Sequence, residues 1–521
     1  MHFVGTGKSV IHDDESFYSL VINKSGDNPN NLEIGEDLTV STQYIVFTDG
    51  ILEMASGSTL NVLNSDLIIS EGCGLLCDDS GGTTINLSYG NFEYNDGPNS
   101  EFYGFTFGNS VINISGSGDR HMAPPSIAQR MYLNELNVNL STGECFINAN
   151  STEFAGDFNL AGGSFRTVSE AHLILHKDFT TASGTSFTAP LTNFEFWGDD
   201  DSHFSQEGSG EIYELDVHKN TARKTIEQIG SPDSNNLERD SSRRIASFIQ
   251  DTYLTVNSDI TITMGILNMN SKGMLVGESL IINPLGTLLM PVLSEVVLSN
   301  NGILECNGKI ESMGTQYEDN FFYAAEANGT FYFVIKDGGS LGAQGTSFSQ
   351  LREDGILFEA GSLVDTEIGL QDCTFLYGTS GGSLLTFEND QDVQIDGAYF
   401  PNNSWGESYN VTKLNDIGSV TFSESIGSFS GAAYENDPNN RIFWGALEKP
   451  QNVTVEIMGN TVVLNWDPVP GAPGEISYKV YSSDDPSQAF GNWDFEEEIA
   501  GTTWSETIPG NKKFYCVTVV K

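Results

Sequence analysis

A phenylalanine that returns about once every 25 residues is the feature that most limits what this chain can fold into. Phe348, Phe375, Phe400 and Phe422 recur at sequence intervals of 27, 25 and 22. The organising stretch, Leu370–Asn402, holds two apolar clusters that end in Phe375 and Phe400, with another apolar run, Leu384–Phe387, between them. Self-similarity at a period of roughly 20–30 residues, without helical periodicity, marks a β-solenoid, in which each coil lays its strands on the coil before it. One Phe per coil predicts an interior ladder, with Phe348, Phe375 and Phe400 in successive coils.

The first part of the chain carries a second, longer repetition. Phe17–Lys24 (FYSLVINK) resembles Ile212–Lys219 (IYELDVHK) and, more loosely, Tyr132–Asn139, and each follows a Gly-rich element. Leu38-Thr-Val, Gly50-Ile-Leu-Glu-Met and Leu67-Ile-Ile recur as Leu254-Thr-Val, Gly265-Ile-Leu-Asn-Met and Leu280-Ile-Ile, at sequence offsets of 216, 215 and 213. One multi-coil block has therefore been duplicated with small changes in turn length. Inside a block, apolar centres such as Leu38, Val46, Leu52, Leu60, Leu67 and Leu75 come about every seven residues, so three strands complete a coil of about 21 residues. Alternation at Leu38-Thr-Val40 and Ile260-Thr-Ile262 makes one face of each strand apolar. A β-sandwich array would give similar short strands but not a ladder repeated coil on coil.

Thr221–Thr252 breaks the pattern. It holds Arg223, Lys224, Arg239, Arg243 and Arg244, five of the 23 basic residues, and reads as a surface insertion, with a short helix over Ser242–Asp251. Its sharper reading is a docking loop for an acidic surface, because the rest of the chain is negative. Acidic residues number 71, for a net charge of −48. That argues against nucleic acid or an anionic membrane as partner, since both need a basic face. No run of about 18 apolar residues is present, so no transmembrane helix is expected. Met1 opens HFVGTGKSV without a basic or apolar leader, which reads as a mature or trimmed start. Of six cysteines only Cys73 and Cys77 are near neighbours, and small buried thiols are the simplest reading.

From Pro450 the sequence resembles a fibronectin type III module. The likeness is carried by Pro450-Gln-Asn-Val-Thr-Val, Val462-Val-Leu-Asn-Trp466-Asp-Pro, Tyr478-Lys-Val-Tyr481 and Pro509-Gly510 with Phe514-Tyr515-Cys-Val-Thr-Val519. It implies a two-sheet sandwich over 450–521 whose strand at Tyr515–Val519 lacks a seventh-strand neighbour, leaving an edge to be covered. The preceding residues are similar to right-handed parallel β-helix proteins of the pectin-lyase-like type. The resemblance implies an all-β chain: β-helix over 1–220 and 253–446, an insertion over 221–252, then the module. The pairing looks like bacterial surface or secreted proteins, which implies an extracellular or cell-surface location and adhesion, coating or polysaccharide contact.

Chemistry is sparse. Sugar-cleaving β-helices need a compact carboxylate set, or an acid cluster for Ca²⁺ beside a Lys or Arg base. The acid runs Asp13-Asp14, Asp78-Asp79, Asp199–Asp201 and Glu496–Glu498 lack Gly-His-Gly or Arg-Ile-Lys companions and read as solvated turns. Asp390, Asp392 and Asp396 put several oxygens around one turn and are the candidate Ca²⁺ ligands. His172 and His176 share a strand face but stand about 13 Å apart, too far to chelate one metal. Trp405 and Trp493 are candidate sugar-stacking aromatics. The expectation is a non-enzymatic structural or adhesive protein that forms a homo-oligomer or surface assembly, with Ca²⁺ as its candidate ion. The alternative is a polysaccharide lyase or hydrolase, or a carbohydrate-binding β-helix.

Overall fold

Leu38 and Val40 turn inward and Thr39 outward, as alternation on a half-buried strand requires. In the computed structural model parallel pairing joins 45 strands among the described residues, many of them with this alternation. The structure describes residues 1–521 apart from 25–30, 42–44, 71–72, 79, 95–103, 125–129, 190, 211, 220–246, 316–318, 446–449, 460, 468–476, 486–492, 500, 508–512 and 521. The chain divides into two compact units. The first, Met1–Val420 with Ser425–Phe443, is a parallel β-solenoid; the second comprises Thr421–Glu424 and Trp444–Lys521.

Inside the solenoid, like stacks on like. One interior column runs Leu38, Leu60, Ile85, Ile112, Leu136, Phe158, Phe179, Phe204 from coil to coil. Its last three rings are stacked at 5.0 and 5.4 Å. The ladder expected from the sequence is present: Phe348 stacks on Phe375 at 5.5 Å and Phe375 on Phe400 at 5.3 Å, all fully buried. It begins one rung earlier than the sequence predicts, with Phe322 stacked on Phe348 at 5.3 Å. Phe422 is not a rung. Beyond Phe400 the Tyr399–Ile426 bridge puts Gly427 opposite Phe400, so the column of rings ends there, while the Phe422 ring stacks on Trp444 at 4.3 Å.

An outward column lies next to the interior one. Ser16, Thr39, Asn61, Asn86, Asn113, Asn137, Asn159, Thr180 and Ser205 are in register over nine coils. Each asparagine from Asn86 to Asn159 donates its amide to the side-chain oxygen of the asparagine one coil earlier, at 2.7–2.9 Å. Asn61 donates in turn to Thr39 Oγ1 at 3.4 Å. Side chains on one sheet face are thus satisfied by their own repeats.

The duplicated block is visible in the backbone. Gly50 and Gly265, equivalent in sequence, bend the strands Ile45–Met54 and Ile260–Asn268 with φ of +97° and +87°. At Gly50 a Cβ would sit 2.6 Å from the Lys24 carbonyl oxygen, so both conformation and space require glycine there. The motif-ending lysines are both buried: Lys24 donates to Ser9 Oγ at 2.8 Å, and Lys219 to the Trp197 carbonyl at the same distance.

Most of the expected basic insertion lies outside the described residues. Its end corrects the expected helix: Ser247–Gln250 is a strand, paired with Ser202–Gln206 and Ile260–Asn268. A four-residue segment flanked by parallel neighbours takes its conformation from them, and a short apolar run does not distinguish strand from helix. Among the described residues helix is confined to one 3-10 turn, Ala432–Tyr434.

The second unit holds two antiparallel three-stranded sheets. One contains Gln451–Met458, Thr461–Asp467 and Thr503–Thr507; the other Asp494–Ile499, Ser477–Ser483 and Phe514–Val520. Val462, Leu464, Trp466 and Trp504 from the first pack with Tyr478 and Val480 from the second. The expected alternation therefore builds a core between two sheets. Phe514–Val520 pairs with Ser477–Ser483 and is, among the described residues, an outer strand of its sheet.

Candidate functional site

Three successive registers bring a group of polar and ionisable side chains together on one outer face of the solenoid. Glu153 pairs with Ile174, Ile174 with Glu195 and Glu195 with Asp216. At about 4.8 Å between strands, Glu195 and Asp216 are nearest neighbours and Glu153 lies two coils away. His172 opens the strand His172–Leu175 and His176 follows it directly, and the two bond to different coils. His172 Nδ1 shares a 2.7 Å hydrogen bond with Glu195, and His176 Nε2 a 2.8 Å bond with Glu153. Each histidine is used on its own carboxylate.

Trp197 completes the face. Its indole N–H donates to Glu195 Oε2 at 3.0 Å, and its ring stacks on His218 at 4.6 Å with 39% of the residue exposed. His218 pairs with Asp216 at 2.8 Å, and Asp216 also accepts from Thr263 Oγ1 at 2.9 Å. Beneath the face lies Lys219, which donates to the carbonyls of Trp197 at 2.8 Å and His176 at 3.4 Å, and to Ser202 Oγ. Burial, helped by the nearby Lys177 charge, pushes the Lys219 amine down to about 8, against the opposing pull of Asp200, Asp201 and Asp178. Lys177 itself pairs with Asp200 at 2.6 Å, which places the middle of the Asp199–Asp201 run beside this face.

The chemistry of this arrangement follows from its acceptors. Both oxygens of Glu195 and both oxygens of Asp216 are engaged by donors. Each carboxylate oxygen keeps a second acceptor position, so both groups can take a further hydrogen bond from a hydroxyl.

The sequence-predicted candidates sit elsewhere. Asp390 accepts from Asn415 at 3.3 Å, Asp392 from Ser419 at 2.7 Å and Asp396 from Gln394 at 3.0 Å. Asp392 and Asp396 open and close one strand, about 13 Å apart at 3.3 Å per residue, so the three carboxylates are not brought to one point. Among the described residues no group of three His, Cys, Asp or Glu is placed to hold a metal ion. Trp405 is half-buried against Tyr377 at 5.2 Å, and Trp493 is half-buried too, so neither is the open platform expected of it. The glutamates of the 496–498 run are each paired: Glu496 with Lys513, Glu497 with the Trp504 indole and Glu498 with Lys479. All six cysteines are free thiols. Cys73 and Cys77 lie on one strand, too far apart to bridge, and burial pushes the Cys73 thiol up to about 11.

Glu153, Glu195, Asp216, Trp197 and His218 are not singled out by the sequence reading. A signal for three of them exists: Asp216 follows Glu195 by one coil length, and Glu153 precedes Glu195 by two. No family model matches the chain, and neither does a curated protein or a solved structure.

Proposed function

We propose that this chain is a non-enzymatic structural and adhesive protein of the cell surface or extracellular space, with the solenoid as scaffold and the Trp197 face as its contact for glycans. The observation that carries the reading is that Glu195 and Asp216 are each bonded on both oxygens, Glu195 to His172 and Trp197 and Asp216 to His218 and Thr263, with acceptor positions to spare. Carboxylates fixed in this way accept hydrogen bonds from sugar hydroxyls, and an exposed indole held by Glu195 and His218 offers a flat apolar surface to a pyranose ring. The stacked coils support a pectin-lyase-like reading of the first unit. The two three-stranded sheets support a fibronectin type III-like reading of the second, with the edge strand Phe514–Val520 as an assembly joint. A surface with 71 acidic and 23 basic residues repels anionic polymers at short range, so the ligand class is an uncharged polysaccharide.

Binding of uncharged glycans, measured by array or affinity electrophoresis, should fall about tenfold or more in Trp197→Ala. Trp197→Phe should retain most of it. Equal binding by wild type and Trp197→Ala would move the contact away from this face.

A further inference from the structure

We infer that a second glycan contact runs along the solenoid axis, with Tyr253, Phe321 and Tyr399 as the platforms of a straight track for an unbranched, uncharged polysaccharide. The inference rests on the glycan reading proposed above and names the form of the polymer.

The three rings stand in one outward column. Gly273 pairs with Glu295, Glu295 with Phe321, Phe321 with Ser347, Ser347 with Thr374 and Thr374 with Tyr399. Leu254 pairs with Met274, which puts Tyr253 one coil before Gly273. Three coils therefore separate Tyr253 from Phe321, and three more separate Phe321 from Tyr399. At about 4.8 Å per coil each interval is about 14 Å. The rings are 46%, 42% and 41% exposed, so all three are open to the same degree. A glycine prepares the first platform. The Tyr253 ring and the Glu295 side chain both lie over Gly273, where a Cβ would stand 2.4 and 2.6 Å from them.

What the track takes follows from what lies between its rings. A protein partner is held by a contiguous cluster of anchors near the centre of its interface. Single rings at equal intervals, separated by Gly273, Glu295, Ser347 and Thr374, match instead a polymer whose own rings repeat. Charge selects the kind of polymer. The two outward columns that run from Tyr253 and Thr255 to Thr374 and Leu376 hold Glu295 as their single ionised residue, in a chain with 71 acids. Other acids stand at the borders, Asp251, Asp319 and Asp372 on one side and Glu278 and Glu326 on the other. They repel an anionic chain and accept hydrogen bonds from the hydroxyls of a neutral one. Glu295 does the same between the first two rings: its Oε2 accepts from the Tyr323 hydroxyl at 3.0 Å and the carboxylate keeps further acceptor positions. Trp197, in register with His218 and Met264, lies on another side of the coil. A long polymer that engages both contacts gains from each, and loss of either lowers its retention.

Binding of linear, uncharged glucan, mannan and xylan of increasing length to the full chain, measured by calorimetry, tests the track. For the polymer that is retained, affinity should climb once an oligomer reaches from one ring to the next, about 14 Å, and again when it spans all three. Phe321→Ala, which removes the middle platform, should weaken binding of the long polymer about tenfold. Tyr253→Ala, Phe321→Ala and Tyr399→Ala together should weaken it at least about a hundredfold. Tyr89→Ala removes an exposed ring outside the track and should leave binding unchanged. The melting of each variant reports its fold, and Tyr399→Ala alone serves if the triple variant unfolds. Long polymer bound equally by wild type and the triple variant, or by wild type and a folded Tyr399→Ala, but lost in Trp197→Ala would overturn the track and leave the Trp197 contact. A disaccharide bound as tightly as the long polymer would overturn the track as well. A chain that retains none of the three polysaccharides would overturn both contacts.

Discussion

Phe375→Ala should destabilise its part of the solenoid by roughly 3–5 kcal/mol, among the largest costs of any single truncation in this chain. The ring is fully buried and sandwiched between Phe348 at 5.5 Å and Phe400 at 5.3 Å. Truncation loses its transfer energy, leaves a cavity that the parallel strands cannot close, and breaks two ring stacks. Coils contact only their neighbours, so the loss should be local. Amide exchange should accelerate in Thr346–Phe358 and Thr374–Gly378 while Leu38–Val40 stays protected. Phe375→Leu should fall between. Unchanged protection around the site would mean that the ladder is not what holds these coils together.

Lys219 gives the second large effect, and it appears in the pH dependence. The amine is fully buried and its folded value lies at about 8, against 10.5 for an ordinary lysine. Below about pH 8 it is charged whether the chain is folded or not, and the fold carries the whole cost of burying that charge. Between about 8 and 10.5 the folded amine is neutral while the unfolded one still binds a proton, so stability from this group rises with pH. The gain across that window is on the order of 3 kcal/mol. Lys219→Met should abolish it, so the difference between wild type and variant in urea titrations should shift in favour of wild type from pH 8 to pH 10. The raised thiols and tyrosines titrate in both proteins and cancel in the difference. A constant difference over that range would show that the Lys219 charge is not buried.

Much of the architecture can be read from the chain because a solenoid writes its period into the sequence. Phe348, Phe375 and Phe400 form the ladder that their spacing predicts. Phe322, 26 residues before Phe348, is harder to read because Phe321 stands next to it and the sequence alone does not say which of the two rings faces inward. Phe422 keeps the interval but leaves the column, because one phenylalanine at a coil spacing does not say which side of the coil it occupies. The asparagine ladder is equally periodic and equally hidden. Asparagine abounds in turns, and only the strand register separates Asn61, Asn86 and Asn113 from turn residues. The same holds for the candidate site, whose side chains come from successive coils and meet through register alone. Lys24 and Lys219 are visible as the last residues of a repeated motif, but their burial depends on carbonyls and hydroxyls supplied by other coils. Ser247–Gln250 invites a helical reading for the same reason: the partners that make it a strand lie in the coils on either side.

The central claim, that the Trp197 face holds glycans without cleaving them, is tested most directly by product analysis. The full chain is incubated with the uncharged polysaccharide that it retains best, and new reducing ends and unsaturated products are followed by mass spectrometry. The account predicts retention with the polymer length unchanged. Chain shortening that disappears in Glu195→Gln or Asp216→Asn would contradict it and make the same face a catalytic one.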